Sequence, residues 1–171
     1  METWDAITAR RNVRSFEDRA IADEDLDRIL EAGRRAPSSR NWQPWDFVVV
    51  TDREQLGRLA GVWQFGAHIA DAAAAIALIV PAALDARERE IAEYDLGQAT
   101  MQMMIAAADL GIGTGHSSVG DQDVARDVLG LPQDRVAAYV IDLGYPGDRP
   151  LKPIRRPNRR AFEDVVHRGT W

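Results

Sequence analysis

One long helical stretch, EYDLGQATMQMMIAAADLG, restricts most strongly what this chain can fold into. Its helical part runs from Glu93 to Leu110, just before Gly111, and apolar residues cover nearly its whole circumference. A helix of this kind is buried on several sides. The whole chain has only 171 residues, a length typical of one domain. The pattern therefore predicts either a central helix or a helix at a subunit interface.

Short apolar segments alternate irregularly with further helical patterns. Three of them, DFVVV, AIALIV and RVAAYVIDLGY, are rich in β-branched residues and are predicted to be buried strands. Helices are predicted over Thr3 to Arg11 and over three segments capped by Asp23, Asp52 and Asp121. GIGTGHSSVGD is predicted to be a loop with room for one short strand. The pattern favours a mixed α+β sheet covered by helices.

The C-terminal part of the chain differs from the rest. Residues 146–160 contain four prolines, which excludes regular structure throughout this segment. We predict one domain over residues 1–171 that ends in an extended arm, at about residues 146–171, which includes the short segment AFEDVVHRGTW.

Composition excludes several classes of protein. The chain has no cysteine, and a net charge of −6 argues against broad nucleic-acid binding. Its longest apolar run, AAAAIALIVPAAL, is too short to span a bilayer and contains a proline. Its first residues, METWDAITARR, lack the apolar core of a signal peptide. A cytoplasmic protein with no membrane partner is the expectation.

Two cationic clusters stand out in this acidic chain, RRNVR near the start and KPIRRPNRR in the arm. They are either parts of a specific anion site or two solvated surface patches, and charge alone favours neither.

Catalytic side chains are not indicated. His68, His116 and His167 are far apart in sequence, and no metal-binding, nucleophile-elbow, Walker or dinucleotide-binding pattern is present. If the chain is an enzyme, a cofactor carries the chemistry, and the arginines indicate a phosphorylated one. In the segment PSSRNWQPWDFVVV, the serine, asparagine and glutamine side chains are suited to hydrogen-bond the edge of a cofactor's polar ring system. Trp42 is either a wall for that ring or a core anchor, and for Trp45 the core is favoured.

Four motifs occur in a fixed order: RRNVRSF, APSSRNWQPWDFVVV, AAADLGIGTG and VIDLGYPGDRP followed by RRPNRRAFEDVV. Together they resemble the FMN-dependent nitroreductase family of NAD(P)H oxidoreductases over nearly the whole chain. The resemblance implies an α+β fold with a central, mainly antiparallel sheet flanked by helices. It also implies an intertwined homodimer with FMN at the subunit interface and an arm that crosses to the partner.

The resemblance also implies the cofactor site. The cation-rich first motif and the arm place FMN contacts, including the phosphate site, at Arg10, Arg11, Asn12, Arg14, Arg156 and Arg159. The second motif approaches the flavin from the other subunit through Pro37, Ser38, Ser39 and Asn41, with Gln43 supporting the loop. The stretch Ser117, Ser118 and Val119, which follows the third motif, aligns with the family's loop near the flavin ring edge. No catalytic side chain and no metal ligand is implied. The segment from Pro81 to Ala92 stands where larger members have lid helices.

The implied activity is transfer of hydride from NADH or NADPH, by ping-pong chemistry, to a small-molecule acceptor such as a nitroaromatic or a quinone. Three alternatives stay open at this point. The first is another flavin reaction of the same fold, such as dehydrogenation, dehalogenation or flavin fragmentation. The second is a flavin-sequestering protein without turnover, and the third is an anion-binding scaffold without flavin.

Overall fold

A four-stranded antiparallel sheet forms the centre of the computed structural model, which describes residues 1–171. Its strands are β1 (Asp46–Val50), β2 (Ala74–Pro81), β3 (Gly113–Ser118) and β4 (Arg135–Gly144), in the order β1-β2-β4-β3. The central strands β2 and β4 carry apolar residues on both faces, as strands buried between two layers do. The three strands predicted from sequence are confirmed, but the predicted burial is wrong for β1, because it is an edge strand in which only Val50 is buried.

The edge strand β3 was predicted only as a loop with room for a short strand. Its sequence, GTGHSS, has two glycines and only one β-branched residue, Thr114, and so signals a strand weakly. It is nevertheless paired with β4 over its full length, from Gly113 opposite Gly144 to Ser118 opposite Tyr139. Pairing with a strongly apolar neighbour therefore overrides its weak intrinsic preference.

Helices cover both faces of this sheet. They are α1 (Thr3–Ala9), α2 (Asp23–Arg34), α3 (Arg53–Leu59), α4 (Ala86–Asp109) and α5 (Gln122–Leu129). One core cluster joins α2 and α4 to one face, and α1 packs on α4. A second cluster joins α3 and α5 to the other face. The result is an α+β fold in three layers.

The long helix begins earlier than its apolar pattern indicated. Asp85 and Glu88 form a capping box, in which each side chain accepts a hydrogen bond from the other residue's backbone N–H. This box starts α4 at Ala86, so most of the charged connection that follows β2 forms its first two turns. One side of α4 is buried, whereas Tyr94 and Met101 on its outer side are 73% and 42% exposed.

The other predicted caps have mixed outcomes. Asp52 and Asp121 cap α3 and α5 as predicted, each accepting a backbone N–H. The prediction for Asp23 is wrong, because Asp23 is already the first residue of α2 and Ala22 holds the cap position without a side-chain bond. Three acidic residues in that first turn favour the helix through its dipole instead.

The arm has little regular structure beyond β4, as its prolines predicted. It contains one 3-10 turn, Phe162–Asp164, and every residue from 152 to 171 is exposed. Its first part lies along α1, where Ile154 N–H donates to the Thr8 carbonyl at 3.0 Å. None of the helices has both the length and the apolar character needed to cross a membrane.

Candidate functional site

The arginine-rich segment after α1 runs beside the edge strand β3. Asn12 forms a parallel bridge with Thr114, and Val13 N–H donates to the Thr114 carbonyl at 2.9 Å. Val13 is fully buried, and a Cβ on Gly113 would lie 2.6 Å from its Cγ2 atom, so glycine permits the close approach. The sheet thus brings Arg10 to Arg14 next to the strand that carries Ser117 and Ser118.

The arginines of this segment have different surroundings. Arg11 binds the Asp148 carboxylate and the Arg149 carbonyl, both at 2.7 Å, and so fastens the start of the arm. Its hydrogen bond is the main cause that lowers the pKa of Asp148 below its ordinary value. The Arg10 side chain makes only a 3.4 Å contact with the Asn12 amide oxygen. Arg14 is exposed, and its side chain has no hydrogen bond or ion pair, so it is free to bind an anion.

The loop from Pro37 to Gln43 closes on itself. Ser38 Oγ accepts the Gln43 N–H at 2.9 Å, and the Gln43 side-chain amide donates to the Asn41 carbonyl at 3.0 Å. Arg40, Asn41 and Gln43 have φ angles of 53°, 58° and 52°. Non-glycine residues in this left-handed region cost on the order of 1–2 kcal/mol each, so outside contacts must hold the loop.

A buried carboxylate on α4 provides such a contact. Asp95 is 2% exposed; its Oδ2 atom accepts the Ser39 N–H at 2.8 Å, and its Oδ1 atom accepts the Gln98 side-chain amide. A cleft of about 550 Å³ lies between the loop and α4, where Tyr94 and Arg87 line it with Pro37, Ser38 and Ser39. Asp95 was not identified from the sequence, because an aspartate within a helical pattern looks like any solvated residue.

The two tryptophans after this loop have separate environments. Trp45 is 8% exposed in the core and stacks on Phe47 with ring centroids 6.5 Å apart, which confirms the prediction of a core anchor. Trp42 is 39% exposed beside the polar loop. Its ring is therefore accessible to a ligand.

The third predicted group lies at the end of β3. Ser118 is exposed and Val119 is half-buried, whereas Ser117 is 5% exposed and its hydroxyl lies 3.4 Å from His68 Nε2. His68 Nδ1 in turn lies 2.9 Å from Asp142 Oδ2. His68 thus has two side-chain partners, although no sequence pattern indicated any. Its partners are 49 and 74 residues away along the chain, so no local spacing could reveal them.

The predicted groups do not all meet within one chain. The Pro37–Gln43 loop leads into β1, and the Arg10–Arg14 segment lies outside β3, so they occupy opposite edges of the sheet. Three strand spacings, about 14 Å, separate these edges. No hydrogen bond or ion pair joins the two segments. Arg156 and Arg159 lie on the exposed arm, where the Arg159 side chain bonds only to the neighbouring Asn158 carbonyl.

This fold and its motifs have close counterparts among known proteins. The model of the nitroreductase family matches residues 7–83 and 62–145. A relative from Archaeoglobus fulgidus, provisionally named NADH dehydrogenase/NAD(P)H nitroreductase, is 36% identical and covers 96% of both chains. The FMN reductase [NAD(P)H] of Bacillus subtilis is 30% identical over 99% of this chain and 74% of its own. The chain belongs to the nitroreductase family, as its motifs predicted.

A solved structure supports the same assignment. The NADPH:FMN oxidoreductase of Vibrio harveyi, solved with NAD⁺, superposes with a TM-score of 0.84 at 26% identity. The match covers 97% of this chain and 76% of that one. The names of these relatives agree with the expected oxidoreductase chemistry, with FMN and NAD(P)H as its cofactors.

The residues present suit FMN in their chemistry. A phosphate needs cationic donors that are not already neutralised, and Arg10, Arg14, Arg156 and Arg159 have no acidic partner. A flavin ring needs hydrogen-bonding groups at its edge and apolar surface at its face. The polar loop at Ser38, Ser39 and Asn41 and the accessible Trp42 ring offer both. Arg11 differs from the other predicted residues, because its guanidinium already binds Asp148.

Proposed function

We propose that this protein is an FMN-dependent NAD(P)H oxidoreductase that reduces small acceptors such as nitroaromatics or quinones. One observation carries the flavin assignment. Most arginines without an acidic partner lie in the Arg10–Arg14 segment or in the arm, whereas those of the helices are largely paired. In a chain of net charge −6, such cations repel one another unless an anion joins them. A terminal phosphate is a suitable anion.

Two copies of the chain are needed for this site. The polar loop beside Trp42 and the arginine segment lie at opposite edges of one sheet, so a second copy is the simplest way to bring both to one flavin. Exposed apolar side chains support the homodimer: Trp4, Tyr94 and Phe162 are 72%, 73% and 68% exposed. The arm is the segment proposed to cross to the partner, because it has no packed core of its own.

The chain's own residues bind and orient the reactants in this proposal. Arg10, Arg14, Arg156 and Arg159 hold the phosphate, with Asn12 as a further hydrogen-bonding group. Ser38, Ser39 and Asn41 approach the ring from the partner, and the backbone at Ser118 and Val119 lies along its other edge. When bound, FMN supplies the two-electron carrier between the nicotinamide and the acceptor. The two substrates use the same open face in turn, which predicts ping-pong kinetics.

Flavin binding tests the phosphate site directly. Apo-protein titrated with FMN, riboflavin and FAD should prefer FMN strongly over riboflavin, because riboflavin leaves the arginines unpaired. The preference over FAD should be smaller, since nothing in the chain resembles a dinucleotide-binding motif. Part of the FMN preference should fall with added salt, as exposed charges are screened. Equal affinity for FMN and riboflavin would show that the arginines are solvated surface.

Turnover then separates an enzyme from a binding protein. The FMN-loaded protein should consume NADH or NADPH in the presence of a quinone, with parallel lines in double-reciprocal plots. Tight FMN binding without NAD(P)H consumption would identify a flavin-sequestering protein instead.

A further inference from the structure

The connection between α3 and β2 contributes one residue, His68, to a buried row of three hydrogen-bonded side chains. The proposed function does not use this row. The 3-10 turn of the connection, Ala67–Ile69, places His68 beneath the sheet face that α3 and α5 cover. The ring lies between two strands, with Nδ1 2.9 Å from Asp142 Oδ2 and Nε2 3.4 Å from Ser117 Oγ. The side chain of His68 is 9% exposed, and Asp142 and Ser117 are 0% and 5% exposed.

The chemistry of the three groups sets the direction of the hydrogen bonds. An ionised carboxylate only accepts, so the Nδ1 atom of His68 donates to Asp142. In the neutral imidazole with its proton on Nδ1, Nε2 is an acceptor, and the Ser117 hydroxyl is then the donor. Asp142 therefore fixes the tautomer and the orientation of the ring, and the ring fixes the Ser117 hydroxyl.

This order of residues resembles a hydrolase triad, but burial excludes that role. A nucleophilic serine must meet a substrate carbonyl, and Ser117 lies on the covered face of β3 with 5% exposure. These three side chains can therefore act only on the protein around them and not on a substrate.

Stability alone does not account for the arrangement. Asp142 is fully buried, and its Oδ1 atom has no hydrogen-bonding partner, which is costly for a carboxylate. The position opposite it in β3 is Gly115, where a Cβ would lie 2.7 and 2.8 Å from the two carboxylate oxygens. Gly115 therefore leaves room for the Asp142 carboxylate that contacts His68.

The same connection also holds the residues that follow β3. The Val62 carbonyl accepts the N–H groups of Gly120 and Asp121, at 2.8 and 3.0 Å. The Trp63 ring lies against Gly120, so closely that a Cβ there would be 2.9 Å from Cε3. Ser117 and Gly120 are therefore anchored from one connection, on either side of Ser118 and Val119.

We propose that His68 is a positioning residue: acting through Ser117, with Asp142 holding its ring, it sets the backbone of Ser118 and Val119. The inference rests on the proposed function, which puts this backbone at the edge of the flavin ring. Moving a backbone N–H at that edge changes how strongly the protein stabilises the reduced flavin. His68 is thereby expected to tune both the affinity for FMN and its reduction potential.

Two substitutions of His68 separate the effects of its hydrogen bonds to Asp142 and to Ser117. His68→Asn keeps a donor near the Nδ1 position, facing Asp142, and loses the contact with Ser117. His68→Gln keeps a polar atom near the Nε2 position, facing Ser117.

We expect His68→Asn and Ser117→Ala each to weaken FMN binding by about 2- to 10-fold, the effect of one lost hydrogen bond. Both should shift the flavin midpoint potential in the same direction, and the double variant should go no further. His68→Gln should restore part of both properties, whereas His167→Asn, in the arm, should change neither.

The apo-protein provides a readout that does not depend on flavin. Nitrogen NMR of the full-length chain should show His68 with its proton on Nδ1 and a bare Nε2, and Ser117→Ala should shift the Nε2 signal. A proton on Nε2 would overturn the inference.

The remaining outcomes are distinct. The role of His68 would be overturned if Ser117→Ala kept the wild-type FMN affinity and midpoint potential, or if the effects in the double variant were strictly additive. Either result would leave the proposed function intact. Failure of the wild-type protein to bind FMN would instead overturn the proposed function. If His68→Asn does not fold, Ser117→Ala and the NMR measurement still decide.

Discussion

At the scale of single residues, the arginines differ by what they already bind. The Arg11 guanidinium already binds the Asp148 carboxylate at the start of the arm, whereas the Arg14 side chain has no hydrogen-bonding partner in the chain. The same residue type in one five-residue motif thus serves two purposes. Sequence could place both arginines in the motif, but only their contacts distinguish a structural guanidinium from a free one.

We predict that Arg14→Ala weakens FMN binding by about 10- to 100-fold. Loss of one charge-assisted contact to a phosphate costs on the order of 1.5–3 kcal/mol. Isothermal titration of FMN into apo-protein measures the change. Arg89→Ala is the matched control, because Arg89 is also exposed and has no ion pair but lies on α4. Similar losses in both variants would contradict the placement of the phosphate.

At the scale of elements, the Pro37–Gln43 loop depends on a helix that is distant in sequence. Its left-handed residues are held by the bond from Ser39 N–H to Asp95, on the buried side of α4. The capping box that starts α4 early also brings Arg87 and Tyr94 to the cleft beside this loop. The loop and the first turns of α4 therefore form one structural unit.

Removing the Asp95 carboxylate should loosen this unit. Asp95→Ala leaves the Ser39 N–H unpaired, and we expect a loss of about 1–3 kcal/mol in the free energy of unfolding. Urea denaturation measures the loss, and hydrogen exchange at Ser39 should accelerate. Asp95→Asn keeps one acceptor and should have a smaller effect. Unchanged exchange at Ser39 in the alanine variant would show that other contacts hold the loop.

The start of the arm should respond to acid. The Arg11 hydrogen bond lowers the pKa of Asp148 below its ordinary 3.8, so the ionised form is favoured in the folded protein. The contribution of this contact is therefore complete above about pH 3.8 and is lost as pH falls through the lowered pKa. At pH 7, Asp148→Asn should mimic the acid form.

Hydrogen exchange at Ile154, whose N–H binds the Thr8 carbonyl, reports on this contact. We expect faster exchange in Asp148→Asn than in wild type. Asp164→Asn, farther along the arm and without a side-chain ion pair, should behave like wild type. An unchanged rate in Asp148→Asn would show that the arm is held without Arg11.

At the scale of the whole molecule, the proposed site requires two chains. Sedimentation at low micromolar concentration should therefore show a single dimeric species, because obligate dimers bury more than about 2,000 Å². A compact, stable monomer would contradict the prediction. Met101→Lys, on the outer side of α4, should shift the equilibrium toward monomer. Val49→Lys is its control, since Val49 is similarly exposed, at 37%, on the β1 edge.

Much of the fold followed from local patterns. The strands DFVVV, AIALIV and RVAAYVIDLGY and the caps Asp52 and Asp121 depend on residues close in sequence, and all were predicted. The strand GTGHSS was predicted only as a loop with room for a short strand, because its pairing partner lies elsewhere in the chain. The early start of α4 was missed although its capping box is local, since the following turns are charged and carry no apolar stripe.

The sequence by itself determined the family and the α+β class and proposed the cofactor residues, because these depend on composition, periodicity and motifs that keep their order along the chain. Tertiary structure alone decided which of those residues are free to bind. It paired Arg11 with Asp148, placed Asp95 under the polar loop, and joined His68 to Ser117 and Asp142. Such contacts join residues dozens of positions apart, and their geometry arises only when the sheet brings distant strands and loops together.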